Sequence, residues 1–151
     1  MYGRTPRLKD KYFMIGILLL THGPLGNALL ETLETIMEKQ EDIMCITCNP
    51  GDDPEVKKEA IYKAIDKLNT GKGVIILTDM FGGTPSNLAM SVLGVKPIEV
   101  IAGVNLPMLI KFVENRRHTV LPEAAQRAFE AGRKYIQIAS TLLSPAQIMQ
   151  S

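Results

Sequence analysis

Tryptophan is absent from this 151-residue chain and aromatic residues make up only 5% of it. That leaves no platform on which unpaired bases could stack. Net charge is equally scarce: 17 Lys and Arg against 16 Asp and Glu give a formal charge of +1, so no excess of one sign calls for nucleic acid as a partner. Histidine occurs at His22 and His118 only, and cysteine at Cys45 and Cys48 only, an inventory that offers no metal site. The cysteines have C-x-x-C spacing, yet they lie inside an apolar strand-like run, residues 43–48, and alternation sends them to opposite faces. Redox pairs of this spacing open a helix instead. The two thiols therefore read as small buried groups of a reduced, cytoplasmic protein. Long apolar runs are missing too. Tyr12–Leu20 is too short to cross a bilayer. Arg4, Arg7, Lys9 and Lys11 precede it, but Asp10 interrupts them and no small-x-small cleavage site follows, so neither secretion nor membrane insertion is expected. G-x-G-x-x-G and G-x-x-x-x-G-K-[ST] do not occur, which leaves the common nucleotide loops unsupported.

What is present is ordinary for one globular domain: 46% hydrophobic and 22% charged residues, in a length that can bury a sizeable core. Residues 1–13 are expected to form a flexible basic extension, 14–143 a single domain and 144–151 a frayed tail. Apolar runs alternate with amphipathic stretches, the pattern of βαβ units. Strands are predicted over 14–20, 42–48, 73–78 and 98–103. Helices are predicted over 24–39, 54–68, from Thr84 as N-cap, over 105–115 and over 122–131. Asp53-Pro54 supplies a cap and a first helical residue, and Gly132 reads as a helix stop. Beyond it, Arg133–Thr141 can be read as helix or strand, and Tyr135, Ile136 and Ile138 just past a helix-stopping glycine favour a fifth, edge strand. The expected architecture is α/β: a doubly wound, mostly parallel sheet of order 2-1-3-4, flanked by helices, with an antiparallel edge strand near the C-terminus.

Two polar positions fall at strand ends, His22 after the first strand and Asp79 after the third. In a sheet of this order those strands are neighbours whose helices leave on opposite faces, so their ends flank the crevice where open α/β sheets place ligands. A carboxylate on one imidazole nitrogen fixes the tautomer, leaves the other nitrogen nucleophilic and stabilises the ring as it becomes cationic. A histidine that merely fills a turn would stand in the same place. Gly82-Gly83-Thr84 enters a helix and would bring backbone N–H donors to the same crevice. The Thr84 hydroxyl could bond a phosphoryl oxygen or only cap its helix. Gly23, next to His22, completes the candidate phosphate-binding set of Gly23, Gly82, Gly83 and Thr84. His118, in a polar turn with Arg116 and Arg117, reads as a solvated loop residue.

Three ordered motifs carry a resemblance. They are the apolar strand ending in Thr21-His22-Gly23, the stretch from Val74 through Asp79 to Met80-Phe81-Gly82-Gly83-Thr84-Pro85-Ser86-Asn87, and Val100–Leu109. Together they resemble the mannose-type IIA component of the phosphoenolpyruvate-dependent sugar phosphotransferase system, over about residues 14–143. The resemblance implies a phosphotransferase without cofactor or metal, in which His22 accepts phosphate from the histidine-containing phosphocarrier protein and passes it to a IIB component or uses it in regulation. It also implies that Asp79 orients His22, that Thr84 stands near the phosphoryl group, and that a homodimer exchanges the edge strand at Arg133–Thr141. Thr84 stands where many members have serine, and the extension has no family counterpart. Two other readings are the phosphocarrier subunit of a dihydroxyacetone kinase, whose motif tends to Ser-His-Ser, and a receiver-like regulatory module phosphorylated on Asp79. Neither the sugar nor the choice between transport and regulation is written in the sequence.

Overall fold

The computed structural model describes residues 13–94 and 97–150; the expected basic extension lies outside them apart from its last residue. Four strands, β1 (Gly16–His22), β2 (Ile43–Cys48), β3 (Val74–Thr78) and β4 (Ile98–Ala102), form one sheet of order β2-β1-β3-β4. All three pairings are parallel, with Leu20 opposite both Ile46 and Thr78, and His22 opposite Cys48. The order is the expected one. The apolar runs explain it: the first six residues of β1 and all of β3 are buried, as parallel strands covered on both faces must be.

Alternation along these strands builds two cores. Ile17, Leu19, Ile75 and Leu77 face α1 (Leu25–Ile36), α4 (Leu106–Asn115) and α5 (Leu121–Lys134), with Leu33, Phe112 and Ala124 filling the layer. Leu18, Leu20 and Ile76 face α2 (Pro54–Leu68) and α3 (Thr84–Ser91), through Ile61, Ala64 and Ala89. Each buried Leu, Ile or Phe among these contributes about 1.5–3 kcal/mol by leaving water. Cys45 and Cys48 fall in opposite layers as alternation requires, and burial pushes both thiols above their ordinary range. Two caps sit where polar residues open a helix in the sequence. Asp53 accepts from Glu55 N at 2.9 Å and Asn105 from Met108 N at 3.0 Å.

The end of the sheet away from the strand carboxyl termini is tied by Arg116, 1% exposed, at the C-terminus of α4. One guanidinium nitrogen donates to Asp42 O at 3.3 Å. The other donates to Glu41 O at 2.6 Å and Gln40 Oε1 at 3.1 Å. Ile15 N donates to Arg116 O at 3.1 Å, so one residue links α4 to the entries of β1 and β2. Burial, with Arg117 nearby, pulls the guanidinium down to about 10, which leaves it charged at neutral pH.

The C-terminal region departs from expectation. Gly132 does not stop a helix: α5 continues through it to Lys134. A Cβ there would meet Met108 Cε at 2.8 Å, and its carbonyl accepts from Asn105 Nδ2 at 2.8 Å. The glycine thus serves a close helix crossing. Arg133 and Lys134 complete α5, and Ala139–Leu142 forms a single helical turn, α6, ahead of α7 (Pro145–Met149). The fifth strand predicted over Arg133–Thr141 is not formed in the single chain. With no ladder beside it, that segment makes local bonds such as Thr141 N to Ile138 O at 3.0 Å. The first helix is also shorter than its pattern, ending at Ile36, with Pro24 as its N-cap rather than its first residue.

Candidate functional site

His22 ends β1 and Asp79 follows β3, and the parallel pairing of those strands brings the two together. His22 Nδ1 lies 2.8 Å from Asp79 Oδ2, and the same oxygen accepts the His22 backbone N–H at 2.9 Å. Met80 N donates to Oδ1 at 2.9 Å. A ring that donates Nδ1–H to the carboxylate holds its lone pair on Nε2. The imidazole side chain is 49% exposed and the carboxylate 11%, so a covered carboxylate is paired with an accessible ring. Burial works to raise the Asp79 carboxyl, but the bonds from the His22 backbone, the His22 ring and Met80 N prevail and hold it below its ordinary range.

Thr21, fully buried, fixes the turn beneath this pair. Its Oγ1 accepts from Gly26 N at 2.8 Å, occupying one of the free donors of the first turn of α1. Gly23 takes up φ +50 and donates its N–H to Cys48 O at 3.1 Å. On the other side the loop from Asp79 reaches α3 through Gly82, at φ +89, and Gly83, the N-cap. A Cβ on Gly83 would lie 2.7 Å from His22 Cε1 and 3.3 Å from Nε2. The backbone therefore runs directly against the ring, at the edge carrying the free nitrogen.

The four predicted phosphate ligands divide. The N–H of Gly23 is spent on Cys48, and that of Gly82 donates to Ser86 Oγ at 2.9 Å. The N–H groups of Gly83 and Thr84 stand at the start of α3. Thr84 is the first residue of α3, not its cap, and its exposed side chain makes no capping bond. Helix starts of this kind favour anions. His118 is exposed in a turn, as expected. Among the described residues no group of three or more His, Cys, Asp or Glu could hold a metal ion, and no helix is long and apolar enough to cross a membrane.

Thr21, Ser86 and Arg116 were not among the expected structural residues. Thr21 could have been found as a polar residue ending a fully buried strand, and Ser86 as the third residue of a helix whose cap has no side chain. Arg116 carries no comparable signal, because its main partners are carbonyl groups.

A family model described as EIIA-man, PTS system fructose IIA component, matches residues 16–129. The chain belongs to this family. It is 37% identical over 125 residues to the PTS system mannose-specific EIIAB component of Escherichia coli K12, across 82% of this chain and 39% of that protein. The chain thus spans well under half the length of that relative. The PTS system fructose-specific EIIA component of Bacillus subtilis is 27% identical over 128 residues, covering 84% of this chain and 88% of its own length. Among solved structures, phosphotransferase system component EIIA from Streptococcus agalactiae superimposes with a TM-score of 0.77 at 27% identity, across 85% of this chain and 99% of that one. The EIIA-man match contains His22, Asp79, the glycine loop and Ser86, and ends inside α5 before the tail.

Proposed function

We propose that this chain is a cytoplasmic phosphoryl carrier of the sugar phosphotransferase system, phosphorylated on Nε2 of His22. The observation that carries the reading is the contact at 2.8 Å between His22 Nδ1 and Asp79 Oδ2. With Nδ1–H held by the carboxylate, the Nε2 lone pair attacks the phosphorus of a phosphohistidine on the histidine-containing phosphocarrier protein. The new N–P bond forms as the donor's breaks. The ring, protonated on Nδ1 and phosphorylated on Nε2, carries positive charge, which Asp79 offsets. The N–H groups of Gly83 and Thr84, at the start of α3, face the phosphoryl oxygens, and the Thr84 hydroxyl stands beside them. Gly23 and Gly82 shape the two turns rather than bind phosphate. The phosphoryl group then passes to a IIB component or serves regulation. Family membership favours this reading over a dihydroxyacetone kinase subunit. Occupation of both Asp79 oxygens by three donors weighs against a receiver phosphorylated on Asp79.

A homodimer belongs to the same proposal. β4 is a sheet edge, and beside it lies a cavity of about 400 Å³ lined in part by Phe81, Val100, Ile101 and Phe129. Ile136 and Ile138 are 73% and 68% exposed on the segment after α5. An antiparallel exchange of that segment between two subunits would occupy the edge and cover both side chains.

The deciding experiment incubates the protein with phosphoenolpyruvate, enzyme I and the phosphocarrier protein. Acid-labile, base-stable label on the native chain and none on His22→Ala is the expected result. Label retained by His22→Ala refutes the assignment.

A further inference from the structure

Gly83 caps α3 without a capping side chain, and any Cβ there would lie 2.7 Å from His22 Cε1 and force the ring to move. Helix starts normally take that bond from Ser, Thr, Asp or Asn at the cap. Here the hydroxyl comes from inside the helix. Ser86, third residue of α3 and fully buried, accepts from Gly82 N at 2.9 Å and donates to Gly83 O at 3.0 Å. It thus clamps the peptide groups on either side of the point where the backbone meets the imidazole. Gly82 sits at φ +89, and both its residue type and Gly83 permit many other backbone conformations. The clamp selects one of them.

We infer that Ser86 is a positioning residue for transfer at His22: its hydroxyl holds the Gly82–Gly83 loop against the ring, so that the Gly83 and Thr84 N–H groups are aimed at the phosphoryl group before it arrives. The inference rests on the phosphohistidine reading above. Donors fixed in advance stabilise developing charge without reorganising during the step. A loop released from the clamp must be ordered in each transfer. The hydrogen bonds of the Ser86 hydroxyl go to Gly82 and Gly83, and it acts through them. Its removal is expected to lower the rate of the chemical step rather than the affinity for the donor protein, because a fully buried side chain offers a partner protein nothing to touch.

The test compares the native protein with Ser86→Ala, Ser86→Cys and Ser86→Thr, measuring rapid-quench transfer from the phosphorylated phosphocarrier protein across donor concentrations. Thermal melts and amide exchange at Gly82 accompany the kinetics. Ser86→Ala is expected to transfer about tenfold more slowly at saturation, with the half-saturating donor concentration within twofold of native and faster exchange at Gly82. Ser86→Thr, which restores the hydroxyl, is expected to recover most of that rate. Should the alanine variant fail to fold, Ser86→Cys, similar in size and a weak hydrogen-bond partner, is read in its place with the same expectation. Native rate at saturation in a folded alanine or cysteine variant overturns the inference while leaving the phosphohistidine reading intact. A change confined to the half-saturating concentration also overturns it. A native protein that takes no label on His22 overturns both.

Discussion

Replacing Asp79 by Asn keeps the shape of the side chain and removes its charge, so the effect isolates what the carboxylate does. Oδ2 accepts two bonds from His22, and Oδ1 accepts one from Met80 N. An amide has a single acceptor oxygen. If that oxygen faces His22, the amide nitrogen points at the Met80 N–H and one hydrogen bond is lost. That costs about 1 kcal/mol, or roughly 2–4 °C of melting temperature for a chain of this size. The kinetic cost comes from the charge. A hydrogen bond to a charged group contributes about 1.5–3 kcal/mol, and each 1.36 kcal/mol is a factor of ten, which brackets the slowing between about 10- and 150-fold. With the imidazole 49% exposed, solvent screens the pair and the lower part of that range is expected. Rapid-quench transfer from the phosphorylated phosphocarrier protein, with calorimetry on the same sample, measures both numbers. A folded Asp79→Asn protein that transfers within twofold of the native rate would refute the view that this carboxylate stabilises the cationic ring.

Further outcomes follow from other contacts. Gly83→Ala keeps an ordinary backbone conformation but drives a methyl group to 2.7 Å from His22 Cε1, so the ring should shift and transfer fall at least tenfold while the melting temperature moves by only a few degrees; a native rate would show that the loop yields freely. Arg116→Met removes the charged donor to Glu41 O and Gln40 Oε1, while Asp42 O keeps the Ile17 N–H, and at about 1.5–3 kcal/mol for hydrogen bonds to a charged group urea melts should show a loss of about that size with transfer at His22 unaffected. The Asp79 carboxyl is held below its ordinary value in the folded chain. Its contribution to stability is therefore present above the unfolded value, about pH 3.9, and lost as pH falls through the folded one. The stability gap between native and Asp79→Asn should accordingly close under acid in urea melts, and a gap that widens would reverse the sign. Truncation after Tyr135 removes Ile136 and Ile138 and should convert a dimer to monomer or aggregate in light scattering; a well-behaved dimer would place the interface elsewhere.

Much of this molecule could be read from the order of its residues. Apolar runs ending in polar turns located β1 and β3, because a parallel strand covered on both faces is apolar along nearly all its length; the edge strands β2 and β4, half covered and carrying Thr47 and Glu99, read as shorter runs of the same kind. Asp53-Pro54 and Asn105-Leu106-Pro107 located helix starts, because a cap followed by proline has one structural use. His22 and Asp79 were placed together by topology alone, since a 2-1-3-4 order leaves few other positions for the ends of β1 and β3. Gly132 misled because glycine ends helices and also lets helices cross closely, and the two uses are identical in one dimension. Only the position of Met108 separates them. The exposed apolar residues after it then suggested a strand that a single chain cannot pair. Ser86 was overlooked because its task is set by the missing Cβ of Gly83, and that absence matters only beside the His22 ring.

Arg116 and His22 lie at opposite ends of the same short strands, one knotting the entries of β1 and β2, the other terminating β1. Durability and chemistry are thus housed at separate poles of the sheet, joined by a rigid apolar slab. Such a division lets the surface around His22 change without loosening the knot below.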